Sequence, residues 1–240
     1  MDVKNARRIV CEGGRELLRL GLVAGTWGNV SCRTDEGLMV ITPSGIPYER
    51  LGQADMVPVG LGCARPPEES GGCLDPICGV DCAAPLAADW GCGNKPSSEA
   101  PMHAAIYRRR PEAKAIIHFH SLYACAVSAM GEEVPPYLED MAQIIGPSIR
   151  LSGHALTGSP RLSENVVAAL DGRFGALMEN HGAVCLGRSM EEAFAAAQIL
   201  EKACHIHVLL KSAGGGGKVL SPEQAALMRD FYLKSYRKSV

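Results

Sequence analysis

The run EAKAIIHFHS, Glu112–Ser121, leaves the chain little freedom. Its centre is apolar and β-branched, the composition of a strand. Alternate residues of a strand share a face. His118 and His120 then present two imidazoles side by side, with Phe119 facing the other way. Two imidazoles on one face begin a transition-metal site without completing it. The same letters also suit a polar strand end with one exposed face.

The 240 residues suffice for one large domain or two small ones, and a 47% hydrophobic content can fill a sizeable core. The net charge of −2 offers no basic stripe for nucleic acid or an anionic membrane. No apolar segment reaches the roughly 18 residues that span a bilayer, and MDVKNARRIV lacks the apolar core of a signal peptide. The expectation is a soluble cytoplasmic protein. Cys11, Cys32, Cys125, Cys185 and Cys204 are scattered and read as small buried hydrophobes.

Periodicity predicts an amphipathic helix near residues 4–20, weakened by Gly13 and Gly14. NVSCR and LMVIT read as a hairpin around Asp35–Gly37. Residues 58–95 are dense in Gly, Pro, Cys and Ala without a period, and read as a long loop or insertion. A helix follows, with Ser97 as N-cap, Glu99 in the first turn, and Arg108–Arg110 in the last turn, where cations suit the helix dipole. After the 114–120 strand come helices in SLYACAVSAMG and SENVVAAL, two strand pieces in FGALMENHGAVCLG, and a long helix opened by a Ser189/Glu192 capping box. A last helix covers about 222–236. Alternating helices and strands with no internal repeat predict a single α/β domain over residues 1–240. The second H-x-H, His205–His207, lies in the long helix. Residues i and i+2 there are about 200° apart and cannot share a ligand.

His181, in MENHG, is a third ligand candidate at a turn, and Glu99 is a carboxylate candidate. Three imidazoles and a carboxylate satisfy tetrahedral zinc, and departure of the carboxylate opens a position for substrate. GTWGNVS, TPSGIP and PSSE add small residues that offer N–H groups and hydroxyls at turns and at a helix N-terminus. Together they suit a phosphate, and singly they are ordinary turn and cap chemistry.

GTWGNVS, ITPSGIPYERL, PSSEAPMHAAIY, IIHFHS and ENHG, in this order and at these intervals, resemble the class II aldolase/adducin family. The resemblance covers about residues 5–56 and 94–210. It implies an α/β/α domain with a central mixed, largely antiparallel sheet flanked by helices, and a homotetramer with sites between subunits. It implies Zn2+ on His118, His120 and His181, with Glu99 as a further ligand and the acid/base group. It also implies a phosphate cradle of Gly28, Asn29, Ser44, Gly45, Ser97 and Ser98. The implied activity is reversible retro-aldol cleavage of a ketose 1-phosphate to dihydroxyacetone phosphate and an aldehyde. Dehydration of methylthioribulose phosphate, 4-epimerisation of a pentulose phosphate, and a non-catalytic adducin-like module are the alternatives within the family.

Two features depart from the family pattern. Sugar-phosphate aldolases of the family carry a catalytic tyrosine where Glu139 stands, and dehydratases a glutamate nearby. Glu139, or Asp140 beside it, is therefore a candidate acid/base group. Tyr232 and Tyr236 lie in a tail that can serve a neighbouring subunit. The insertion carries Cys63, Cys73, Cys78, Cys82 and Cys92, without a C-x2-C pair. A second metal or cluster, a redox or disulfide closure, and a loop without an ion all fit it.

Overall fold

The computed structural model describes residues 1–61 and 93–236, and of Tyr236 only the backbone. Helix α1 (Val3–Arg19) leads to β1 (Asn29–Arg33), β2 (Leu38–Ile41) and β3 (Val57–Gly60). Helix α2 (Ala100–Arg109), β4 (Ala115–Phe119), α3 (Leu122–Met130), α4 (Glu139–Ile144), β5 (Arg150–Ser152) and α5 (Pro160–Ala169) follow. The chain closes with β6 (Gly175–Met178), β7 (Gly182–Gly187), α6 (Met190–Ser212) and α7 (Pro222–Phe231). The strands form one seven-stranded sheet in the order β3-β2-β1-β4-β7-β6-β5, antiparallel throughout except for the parallel β5–β6 pair.

The histidine-bearing strand, β4, is the central one. Ala115, Ile117 and Phe119 enter the core shared with α1, α3, α4 and α6, whereas Ile116 enters the core shared with α2 and α5. The sheet is thus covered on both faces, as an α/β/α domain requires. Full burial of an Ile or Phe side chain stabilises by about 1.5–3 kcal/mol. A one-residue slip of β4 would turn each of these side chains to the wrong face, so the packing of Ile117 and Phe119 sets where His118 points.

Gly14 does not break α1. A Cβ there would stand 2.9 Å from the Tyr48 ring, so the glycine lets the helix lie against the 3-10 turn Tyr48–Arg50. The helix expected to start after Ser97 starts at Ala100, because Ala100 N–H first closes a turn on the Ser97 carbonyl at 3.0 Å. Glu99 therefore stands at the N-cap rather than in the first turn. Ser189 caps α6 through the Glu192 N–H at 3.2 Å, as expected, but the Glu192 carboxylate is engaged by the Arg188 guanidinium at 2.7 Å and the Tyr232 hydroxyl at 2.8 Å. Helix α7 ends at Phe231 and continues as a wide π turn over Tyr232–Tyr236.

Residues 57–60, partly within the segment read as loop, form β3. Its five cysteines, Cys63 to Cys92, lie outside the described residues. The expectation that no segment is long and apolar enough to span a bilayer is corrected by α6, a 23-residue helix in which one 18-residue window reaches a mean hydropathy of 1.2, enough by length and composition alone. That helix buries Ala193, Ala196, Ala197, Leu200 and Cys204 and packs on β7, β4 and α3. Cys11, Cys32, Cys185 and Cys204 are buried and free, and Cys125 is half-buried.

Candidate metal centre and phosphate cradle

His118 sits in the last turn of the pleat before β4 ends, and His120 one residue past that end. Their ring centroids are 4.7 Å apart, as the two-residue strand repeat demands. Strand β7 runs antiparallel beside β4 with Phe119 opposite Ala183, so the turn before β7 brings His181 to the end of β4, beside His120. The His181 ring lies 4.9 Å from that of His118 and 5.0 Å from that of His120. One ligand nitrogen from each histidine falls within 4.8 Å of the others. Asn180, at φ 53°, makes the sharp turn.

Glu99 arrives from the opposite side, at the start of α2. Its Oε2 lies 2.9 Å from His118 Nε2, and its Oε1 lies 3.4 Å from His181 Nε2. Asn29, paired across the strands with His118, donates its amide to Glu99 Oε2 at 2.9 Å. Burial pushes the Glu99 carboxyl up, but His118, His181 and the Asn29 hydrogen bond together hold it well below the usual carboxylate range. Burial, with the neighbouring imidazoles, pushes His120 down to about 3 and lowers His181 as well.

This donor set fits a divalent metal. His118 Nδ1 is 2.9 Å from the Ala183 carbonyl, which can only accept, so the neutral ring carries its proton on Nδ1 and turns a bare Nε2 to the site. That Nε2 faces both a carboxylate oxygen and His120 Nε2, the latter at 2.8 Å. Nitrogens and a carboxylate oxygen converging at these distances suit a shared metal ion. Glu99 Oε1, buried and without a hydrogen-bond partner, suits the same ion.

The six residues expected to form a phosphate cradle gather on the Glu99 side. Gly28 and Asn29 open β1, Ser44 and Gly45 follow β2, and Ser97 and Ser98 precede Glu99. A bridge between Pro43 and Pro96 joins the last two loops. Ser44 N–H donates to the Lys95 carbonyl at 2.9 Å and Ser97 N–H to the Thr42 carbonyl at 3.2 Å, so these two N–H groups serve the bridge rather than an anion. Ser44, Gly45 and Ser98 are exposed. Gly28 has φ 89°, and a Cβ on it would stand 2.8 Å from the His118 carbonyl oxygen. Gly28→Ala is therefore expected to destabilise the fold by about 2–4 kcal/mol, read as a lowered midpoint in thermal or denaturant unfolding.

Glu139 is exposed at the first position of α4, a helix that packs on α6 and α7 rather than on β4. The side chain of Asp140 pairs with Lys202. Tyr232 is buried, with its hydroxyl held by Glu192. His205 stacks on Tyr123 at 3.7 Å, and buried His207 bonds Tyr137 and Glu132. The helical H-x-H is thus divided, as its spacing required.

Several site neighbours were not anticipated from the sequence. Fully buried His103, one helical turn after Glu99, bonds Ser31 at 2.7 Å, and Ser31 bonds Tyr107 at 2.9 Å. Burial lowers His103 to about 3, so it is neutral. The i, i+4 spacing from Glu99 was the available signal. An open cleft of about 520 Å³ adjoins His120 and His181, walled by Ala24, Trp27, Ala155 and Leu156 with His154 at its side.

Comparison with known proteins agrees with this geometry. Residues 8–208 match the class II aldolase and adducin N-terminal domain. The L-fuculose phosphate aldolase of Escherichia coli K12 is 32% identical over 233 residues, spanning 97% of this chain and 95% of that protein. A 5-methylthioribulose-1-phosphate/5-deoxyribulose-1-phosphate aldolase of Rhodospirillum rubrum is 30% identical over 82% of this chain and 77% of its own length. A solved L-fuculose 1-phosphate aldolase superposes with a TM-score of 0.81 at 27% identity, over 95% of this chain and 96% of that one. The chain belongs to the class II aldolase and adducin family and is one of its aldolases, a carbon–carbon lyase whose class is metal-dependent.

Proposed function

We propose that the protein is a zinc-dependent aldolase that reversibly cleaves a ketose 1-phosphate of the L-fuculose 1-phosphate kind to dihydroxyacetone phosphate and an aldehyde. The observation that carries this reading is the convergence of His118, His120, His181 and Glu99 beside the Gly28–Asn29, Ser44–Gly45 and Ser97–Ser98 loops. His118, His120 and His181 would hold the metal, with Glu99 beside them as a further oxygen donor. When bound, zinc acts as a Lewis acid toward the carbonyl and the hydroxyl beside it. The cradle holds the phosphate and so fixes the reacting carbons. Glu99, ionised at rest, would accept the proton that the substrate hydroxyl gives up on cleavage and pass it to the carbon left negative. Asn29 keeps the carboxylate aimed through its amide. Glu139 serves as a second acid/base group only when presented to a neighbouring subunit's site, as in a homotetramer with sites between subunits.

A second substrate reading rests on the cleft. Ala24, Trp27, Ala155 and Leu156 offer an aldehyde half apolar surface, next to the polar side chains of His154, Thr157 and Asn180. The apolar part suits 5-deoxy or 5-methylthio 1-phosphoketoses, the substrates named for the Rhodospirillum relative, and the polar part suits a hydroxylated aldehyde half. The experiment is a panel of L-fuculose, 5-deoxyribulose and 5-methylthioribulose 1-phosphates incubated with zinc-loaded protein and analysed for products. Dihydroxyacetone phosphate with the matching aldehyde is expected. A dehydrated or 4-epimerised product, with no dihydroxyacetone phosphate, refutes the aldol assignment.

A further inference from the structure

Helix α3 begins two residues after His120, and its N-cap, Ser121, does not cap it: no side-chain bond runs from Ser121 to the first turn. Glu201, from the middle of α6, takes that place. Its carboxylate accepts from Ser121 Oγ at 2.5 Å, from Tyr123 N–H at 3.0 Å and from Ala124 N–H at 2.9 Å. A carboxylate on otherwise unmatched N–H groups at a helix N-terminus is stabilised by charge-assisted bonds and by the helix dipole. One turn further along α6, His205 stacks on Tyr123 of the same helix at 3.7 Å and 9°.

The far side of α3 supports the other ligand turn. Cys125 Sγ lies 3.7 Å from the His181 carbonyl, and Asn180 N–H donates to the Ser128 carbonyl at 3.3 Å. Helix α3 therefore joins His120, just before its start, to the Asn180–His181 turn against its flank. Wherever α3 sits, both imidazoles follow. Its N-terminus is held from outside by one carboxylate.

We infer that Glu201 is a positioning residue of the metal centre, acting through α3 on His120 and His181 together. The inference rests on the metal reading above. It goes beyond that reading in placing control of ligand geometry on a helix that supplies no ligand.

The test compares zinc and cobalt binding to the full chain in Glu201→Ala, Glu201→Gln and Glu192→Gln. Zinc affinity is read by competition with a chromophoric chelator, ligand geometry by the visible spectrum of the Co2+ form, and folding by circular dichroism and thermal melting. Partners that orient metal ligands are worth about 10–100-fold in affinity. Glu201→Ala is expected to lose that much and to shift the Co2+ bands. Glu201→Gln keeps the volume but one acceptor oxygen, and should fall between Ala and wild type; it decides the matter if the alanine variant does not fold. Glu192→Gln, on the same helix but tied to Arg188 and Tyr232, should melt lower while keeping wild-type affinity and spectrum. Wild-type affinity and spectra in folded Glu201 variants would overturn the inference, as would an equal loss in Glu192→Gln, which would mark a general effect of stability. Absence of metal binding in the wild type would remove the metal reading and this inference together, whereas normal wild-type binding with unaffected variants removes only the inference.

Discussion

His118→Ala and His181→Ala should each strip the protein of metal and of turnover together. Each removes one of three imidazoles that converge on a single point. Loss of a ligand should exceed the roughly 10–100-fold in affinity that a mere supporting partner costs. His118 is also the link between Glu99, His120 and the Ala183 carbonyl, so its removal leaves the carboxylate facing a void. Metal analysis of protein purified without chelator, run with the cleavage assay, checks this. Full metal occupancy with full activity in either variant would refute the site. His205→Ala and His207→Ala are the controls, and both should retain metal, since these side chains bond Tyr123, Tyr137 and Glu132 instead.

Glu99→Gln is expected to fold normally and lose most of its turnover. The amide matches the carboxyl in volume, and one oxygen can still accept from Asn29, so the N-terminus of α2 is preserved. What disappears is proton transfer, worth about 100- to 10,000-fold in rate, and a negative charge facing two histidines. The measurement is single-turnover cleavage at saturating metal. Turnover within a factor of three of wild type would mean that another group moves the proton, and Glu139→Gln in the same assay would identify it or discard it.

What the sequence made legible divides along a physical line. Spacing within one element was readable. The two-residue repeat of β4 put His118 and His120 on one side, and the same repeat in α6 separated His205 from His207. Turn and cap chemistry was readable to within a residue or two. It failed at Glu99 because the Ser97–Ala100 turn precedes the helix, and Pro43 pairs with Pro96 across a gap no local rule sees. Bonds that cross the fold were not legible. Asn29 reaches Glu99 across 70 positions and Glu201 reaches Ser121 across 80. Each of these side chains alone reads as an ordinary strand or helix residue. Only the register of β1 on β4, and of α6 on α3, gives them a purpose.

Strand β3 is the last strand of the sheet on its side, and its two ends face opposite ways. Gly60 lies beside Leu38, with Leu61 N–H on the Gly37 carbonyl, while the chain resumes near the other end, where Asn94 bonds Asp55 at 3.1 Å and Lys95 bonds Ser44 at 2.9 Å. Leu61 and Gly93 thus stand near opposite ends of β3. At about 3.3 Å per extended residue, roughly five or six residues cover that distance. The closure cost of a longer connection grows only with the logarithm of its length, about 0.6 kcal/mol for each doubling. Both ends are fastened to the domain by these bonds, so the length of a connection between them has little leverage on the register of the sheet.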